Sequence, residues 1–292
     1  MVDWSEAVQH LINGVTVGSI YALTALGLTL VYGILKVLHI AHAGIYVIGA
    51  YMGFLAYDYS GNLALAFLLA VGVPALLGLL VERMFYLRLI NEPRHVPLMI
   101  SIALFILMEE VVANLFGHHP KGFHIEGMPS ASLEFSGVVV KASQVIVVGV
   151  TLASVAVLWY VMNRSRMGLA SQALIQDMET AKALGVNMVF VLDVNFIIGS
   201  ALAGLAGLLV GAYYSSISPY MGDVVAYKAL VVIVLGGFGS IIGALAGGII
   251  LGLAEEYLTA YLGFLLPREA YAFIALIVLL LVRPQGLFGK LE

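Results

Sequence analysis

Runs of roughly 18 or more apolar residues recur along this chain with only short polar breaks between them, and each is long enough for an α-helix to cross a hydrocarbon core of about 30 Å. No other feature narrows the fold so far. Inside a bilayer every backbone N–H and C=O must be paired within protein, which leaves bundled helices or a closed barrel. The runs lack strand-like alternation, so the barrel drops out. Hydrophobic residues make up 62% of the 292 and charged residues 10%, too apolar a balance for a water-soluble domain. The expected fold class is all-α, a polytopic integral membrane bundle in which residues 1–292 form a single transmembrane domain.

Polar breaks divide the chain into about eight segments, at about 9–34, 44–57, 63–86, 96–116, 143–163, 188–214, 228–258 and 269–283. The start, MVDWSEAVQH, lacks a basic n-region and precedes a run too long for a signal-peptide core, so the first helix is expected to stay in the mature protein. The second run is short, and the seventh is too long for one upright span yet too short for two. Within the seventh, LGGFGSIIGALAGGIILG at 235–252 spends seven of eighteen positions on glycine, each costing up to about 1 kcal/mol in a helix interior. Gly236, Gly237 and Gly239 around Phe238 point to a broken helix that re-enters towards the side it came from. Such backbone is tolerated at membrane depth only where protein or a water-filled cavity surrounds it. Gly239, Gly243 and Gly247, and Gly248 with Gly252, have the four-residue spacing that lets helix backbones touch in lipid.

Basic residues set the orientation. Lys36, Arg83, Arg88, Arg94, Arg164, Arg166, Lys182, Arg283 and Lys290 all share one side if the seventh segment re-enters, and that side is expected to be the cytoplasm. The N-terminus and an external loop at 117–142 then lie outside, and the longest inner loop is 164–187. Lys121, Lys141 and Arg268 are the exceptions. SASLEFSGVVVKASQ in the external loop is β-prone and is expected to form a small hairpin. At an offset of 181 residues, Gly18-Ser19 aligns with Gly199-Ser200, Ala22 with Ala203, Ala25 with Ala206, Leu28 with Leu209 and Tyr46 with Tyr227. Small residues are so frequent in membrane helices that chance explains these matches as readily as descent. Under the proposed topology, however, the two halves run in opposite directions, as in an inverted repeat with broken helices.

Charged residues in apolar surroundings are costly and face protein or water. Glu109 and Glu110 point about 100° apart on one helix, and two readings are open: an interfacial pair, or one carboxylate on a solute path. Glu255 and Glu256 are expected to be solvated. Asp193 is expected near the inner interface or a helix end, with Lys228 as its partner or snorkelling. His39 and His42 have helical spacing but lack further metal ligands, so they are read as hydrogen-bonded structural residues.

Absences exclude several chemistries. With no cysteine there is no disulfide, thiol nucleophile or Cys-ligated metal. All seven histidines lie at or before His124, leaving Ser240 without the downstream base of a rhomboid-type serine protease, so Ser240 is read as a packing residue. No G-x-x-x-x-G-K-[ST] run is present, so the chain is not expected to hydrolyse ATP or act as an enzyme. A net charge of −4 without a basic cluster gives nucleic acid nothing to bind.

The inner loop reads NRSRMGLASQALIQDMETAKALGVN, with helix formers from Met178 to Leu184 and a stop at Gly185, either a surface for a cytosolic partner or a connector. This loop, together with NGVTVGSIYALTALGLTLVYGI, IAHAGIYVIGAYMG, ALVVIVLGGFGSIIGALAGGIILG and the ending RPQGLFG, resembles in order the LivH-like permease subunits of branched-chain amino-acid ABC importers. The resemblance covers nearly the whole chain. It implies a multi-pass protein of the bacterial plasma (inner) membrane, paired with a second permease subunit, LivM-like or identical. It further implies two cytosolic ATPase subunits that use the ATP, an extracytoplasmic solute-binding protein, and no cofactor on this chain. The segment 168–187 would be the coupling element, through Gly168, Asp177, Ala181, Leu184 and Gly185. A translocation path would run beside the broken seventh segment and the 39–51 stretch, past His39, His42, Tyr46, Glu109, Gly236, Gly237 and Gly239. This chain has His39-Ile40-Ala41-His42-Ala43 where the family often has Asn-Phe-Ala-His-Gly, Glu109-Glu110 near a Gln-Asn pair, and Gln172 where arginine is frequent. The first two departures keep the expected substrate broad: a branched-chain amino acid or a similar small polar solute. The alternatives are a stand-alone secondary transporter and, third, a passive channel.

Overall fold

A computed structural model of the chain describes residues 4–124, 132–135, 137–263, 265–283 and 286–287. Lys290, most of RPQGLFG and part of the external loop lie outside the described residues.

Two helices form the centre, α1 (Trp4–Leu35) and α8 (Met188–Tyr214). Both are apolar all round, the pattern of a helix enclosed by others, and both carry small residues where neighbours press closest. They meet at Gly27 and Gly199: a Cβ on Gly199 would lie 2.8 Å from the Gly27 carbonyl oxygen. Around α8 pack α2 (Ala41–Ser60) and α3 (Leu63–Val81), the second continuing through a π-helical turn, Glu82–Tyr86. Gly49 of α2 touches the Gly204 backbone, and Gly204 in turn touches Ala70 and Pro74 of α3. Around α1 pack α9 (Met221–Gly236) and α10 (Ile241–Leu262). Lipid is as apolar as leucine, so backbone contact between small residues does the work that hydrophobic burial does in water.

Three further helices complete the bundle: α4 (His95–Phe116) against α2, α5 (Ala142–Arg164) against α1, and α11 (Arg268–Val282) against α9 and α10. Between α5 and α8 lie two short helices, α6 (Arg166–Gln176) and α7 (Met178–Ala183). Two small antiparallel sheets sit at one end. In the first, β1 (Lys121–Gly122) pairs with β4 (Ser216–Ile217) and ties the loop after α4 to the loop after α8. The expected hairpin is present as β2 (Ser132–Phe135) and β3 (Val138–Lys141), with Ser132 opposite Lys141.

Six helices among the described residues are long and apolar enough to cross a membrane: α1, α3 with its π-helical extension, α4, α5, α8 and α10. Of the eight expected segments, the second, α2, and the eighth, the 15-residue α11, are not among these six. The short second run is part of a longer helix, α2, which extends it at both ends to 41–60 and stops at Gly61 in left-handed backbone. The seventh run is broken where its glycines led one to expect, since α9 ends at Gly236 and α10 begins at Ile241. Gly237 (φ 95°) and Gly239 (φ 78°) take left-handed backbone that a side chain would strain. Ser240 then caps α10 by accepting a bond from the Gly243 N–H at 2.9 Å, so it is a capping residue where a packing one was expected. The chain doubles back, with Gly236 against Gly243 and Val232 against Gly247. Gly236 is therefore a packing residue at the helix end, whereas Gly239 belongs to the turn and meets no neighbour within 4 Å. Gly248 and Gly252 face α1, where they touch Ala22 and Gly18.

The helix ends sort by charge. Lys36, Arg83, Arg88, Arg94, Arg164, Arg166 and Lys182 lie in the connections at one end, together with the turn at Gly237 and the packed Gly286. The sheets, the α10–α11 connection and the start of α1 lie at the other. Asp193 pairs at the basic end with Arg83, through Nε–Oδ1 and Nη2–Oδ2 bonds of 3.0 and 2.8 Å. The expected Asp193–Lys228 pair does not form, because Lys228 reaches Glu255 on the neighbouring α10.

Candidate functional site

Helix α9 separates two cavities. The first, of about 350 Å³, lies towards the sheet end between α1, α8, α9 and the start of α11. Its polar wall is an ion cluster. Lys228, only 3% exposed, donates to Glu255 Oε2 at 2.8 Å and to the Tyr21 hydroxyl at 2.7 Å. Tyr21 donates to the same Oε2 at 2.8 Å, and Arg268 Nε does so at 3.2 Å. Arg268 Nη2 reaches Glu256 at 3.4 Å, and Asn13 and His10 reach Glu256 from α1. The expectation that Glu255 is solvated fails: it is fully buried, because α1 and α11 close over that turn of α10. A buried charge persists only when paired and hydrogen-bonded, and this carboxylate receives three donors.

The second cavity, of about 210 Å³, lies towards the basic end and shares Val225 and Ala229 with the first. It is lined by His39, His42 and Tyr227 among apolar residues such as Leu28 and Leu230. His39 precedes α2 and hydrogen-bonds the Tyr86 hydroxyl at 2.7 Å through Nδ1, whereas His42 lies in the first turn of α2 and bonds the Thr24 carbonyl at 3.1 Å through Nε2. The hydrogen-bonded role expected for the pair is present, although His39 is outside the helix, so the two share no helix face. Their remaining nitrogens, His39 Nε2 and His42 Nδ1, and the Tyr227 hydroxyl have no partner among the described residues. Burying such atoms unpaired is costly.

The other expected path residues are distributed around these cavities. Tyr46 lines the larger one. Glu109, 6% exposed, faces the bundle beside Gly222 in the first turn of α9, while Glu110 points outward, as a 100° step requires. Gly236, Gly237 and Gly239 line neither cavity and lie beyond them, at the basic end of α9.

At that end α6 and α7 form a helix pair. Gly168 lies against the Met162 backbone. Asp177 caps α7, accepting from the N–H groups of Glu179 and Thr180 at 3.0 and 3.1 Å, and the Thr180 hydroxyl bonded to it holds its carboxyl below the ordinary value. Ala181 is buried with Ile34, Leu174 and Met188. Gly185 (φ 90°) ends α7, and the bond from Val186 N–H to the Ala181 carbonyl closes a Schellman motif. Leu184 beside it is 81% exposed.

Sequence reading missed the Lys228–Glu255–Arg268–Tyr21 cluster. Its signal was present, since an ionisable residue inside an apolar run is a functional candidate by default. The partners stand 13 to 234 positions apart, and no spacing rule connects them.

A bundle of apolar helices closed by glycine contacts, with charged and polar side chains turned inward onto cavities of small-solute size, is a polytopic membrane protein. The family described as the permease component of branched-chain amino acid transport systems matches residues 10–283, and the chain belongs to it. It is 36% identical to the high-affinity branched-chain amino acid transport system permease protein LivH of Salmonella typhimurium, over 97% of this chain and 96% of that one. Identity to the corresponding BraD protein of Pseudomonas aeruginosa is 35%, over the same shares. The LivM protein of Salmonella typhimurium is 27% identical over 93% of this chain and 68% of its own length. No solved structure matches the chain.

Proposed function

We propose that this chain is a permease subunit of an ATP-binding-cassette importer that carries amino acids, branched-chain or similar small polar solutes, across the bacterial inner membrane. The observation that carries the reading is full-length similarity to permeases of that system. A second permease subunit, two cytosolic ATPases that use the ATP and an extracytoplasmic binding protein complete the assembly. The basic end faces the cytoplasm, the connections 117–142 face outward, and 164–187 form the coupling element. Leu169 of α6 and Leu184 beside α7 are exposed apolar side chains of the kind an ATPase surface would cover.

Solute passes along α9. The two cavities that meet at Val225 and Ala229 support this route, with a charged chamber outside and the His39, His42 and Tyr227 chamber inside. Glu109 stands at the outer start of α9, and the turn of Gly237 and Gly239 closes its inner end. The halves form an inverted repeat, α1 to α4 against α8 to α11. In support, these helices begin at 4, 41, 63 and 95 in one half and at 188, 221, 241 and 268 in the other. The residues after α1 and α8, Lys36 and Ser215, share the left-handed backbone, with φ of 52° and 53°.

Reconstitution tests the reading. With the ATPases, partner permease and binding protein, proteoliposomes should accumulate an amino acid when supplied with ATP. The purified chain alone should accumulate none under any ion gradient. Concentrative uptake by the lone chain would make it a secondary transporter and overturn the proposal.

A further inference from the structure

We infer that Lys228 and Arg268 form the subsite in the larger cavity that receives the carboxylate of the transported solute. The inference rests on the importer reading and assigns the residues that hold its solute.

The donor count carries it. An ammonium has three N–H groups and a guanidinium five. Lys228 uses two, on Glu255 and Tyr21, and Arg268 uses two, on Glu255 and Glu256. One Lys228 donor and the Nη1 side of Arg268 have no hydrogen-bond partner among the described residues, although the ammonium also lies over the Tyr21 ring, 4.8 Å from its centroid, and both side chains line the cavity. The two cations converge on a single oxygen, Glu255 Oε2, so they stand close together, and Glu255 is fully buried, with its Oε1 lacking a hydrogen-bond partner among the described residues. Glu256, the second carboxylate, is also engaged by His10 and Asn13. The face presented to the cavity is therefore two adjacent cations with spare donors.

A planar two-oxygen anion suits that face, because a guanidinium edge and an ammonium can each take one oxygen. Valine and isoleucine line the same cavity at Val17, Ile20, Val210 and Val225, the last of these one turn from Lys228 on α9. An apolar side chain attached to the carboxylate would lie there. Glu269, with Ser216 and Ser218, completes the rim and supplies acceptors for an ammonium group. Anion, apolar body and cation thus each meet a matching surface within one chamber of about 350 Å³.

The test uses the complete permease–ATPase complex in nanodiscs without the binding protein, so that the chamber is read directly. Saturation-transfer NMR is run with L-leucine, with 4-methylpentanoate, which keeps the carboxylate and tail, and with 3-methylbutylamine, which keeps the tail and a cation. Leucine and the acid should bind and displace each other, and the amine, which lacks the group that the two cations receive, should displace them much less effectively than the acid does. Arg268→Gln, and the paired Lys228→Gln/Glu255→Gln that avoids an orphaned charge, should weaken leucine and the acid at least tenfold. Displacement by the amine as effective as that by the acid, absence of binding to the wild-type complex, or full binding by assembled variants overturns the inference. The acid and amine comparison needs no variant and decides the matter if neither variant assembles. ATP-driven leucine uptake by the wild-type importer is measured in parallel with the binding protein present. Uptake without carboxylate-dependent binding refutes the subsite alone, whereas no amino-acid uptake refutes the importer reading beneath it.

Discussion

Gly18→Ala should destabilise the protein even though alanine is the better helix former. A Cβ at Gly18 would lie 2.7 Å from both the Gly248 carbonyl oxygen and the Ile249 Cα, about 0.7 Å inside the 3.4 Å at which ordinary contact begins. Both obstacles are backbone, so no rotamer change relieves them and α1 has to move away from α10. Overpacking of this kind costs about 1–3 kcal/mol, and the gain in helix propensity returns at most about 1. A net loss of up to about 2 kcal/mol is expected. Gly72→Ala in α3 is the control, because a Cβ there meets nothing within 4 Å, and the same propensity should stabilise it by about 0.5–1 kcal/mol. Unfolding both variants by SDS titration in mixed micelles, followed by circular dichroism, gives the two signs. Equal shifts in one direction would show that the α1–α10 seam is looser than described and would remove close backbone contact as the force holding the bundle.

Four further outcomes are expected. A double-mutant cycle of Arg83→Gln and Asp193→Asn in the same titration should give a coupling of about 1 kcal/mol, because the pair is bidentate but the arginine is half-exposed and screened; a coupling near 4 would mean a desolvated pair. Gly185→Pro should reduce substrate-stimulated ATP hydrolysis by the reconstituted importer several-fold, since proline cannot take the φ of 90° at the end of α7; an unchanged rate removes this loop from coupling. Asp177 has its carboxyl held below the ordinary 3.8 by the Thr180 hydroxyl. The α7 cap therefore contributes above that value and is lost as pH falls through the lower folded one. Protection of the Glu179 and Thr180 amides, measured against the exchange rate of an unstructured chain at the same pH, should fall below about pH 3.8, and Asp177→Asn should abolish that dependence. Glu109→Gln should slow amino-acid uptake if the carboxylate at the start of α9 lies on the path, and an unaltered rate and pH profile would make it a packing residue.

Where local chemistry decides a conformation, it was legible in the sequence. The break in the seventh run follows from the backbone freedom of Gly237 and Gly239, and the stop of α7 from Gly185. The membrane class follows from run length alone. Partnerships across the bundle were not legible. Asp193 and Lys228 are opposite charges in the same half of the chain, yet each bonds elsewhere, Asp193 to Arg83 and Lys228 to Glu255. Glu255 and Glu256 look like an exposed acidic pair, and only the approach of α1 and α11 encloses one of them. The same limit applies to Gly236 and Gly239, whose packing and turning roles depend on which neighbour stands opposite. For the candidate path, sequence placed His39, His42 and Tyr46 beside α9 but missed the charged chamber, whose walls come from α1, α8, α9 and α11.

Helix α10 presents bare backbone in two directions, Gly243 and Gly247 to α9 and Gly248 and Gly252 to α1. Interlocked main chains have no side chains to reshuffle, and the Gly27–Gly199 and Gly49–Gly204 contacts carry the same interlock through α8 to α2. The flank of α9 that shares cavity walls with Ile40, His42 and Tyr46 is different, since at Gly222 it meets the side chains of Val47, Phe105 and Glu109. Of these seams, the one between α9 and α2 is the one that a change of rotamer would loosen.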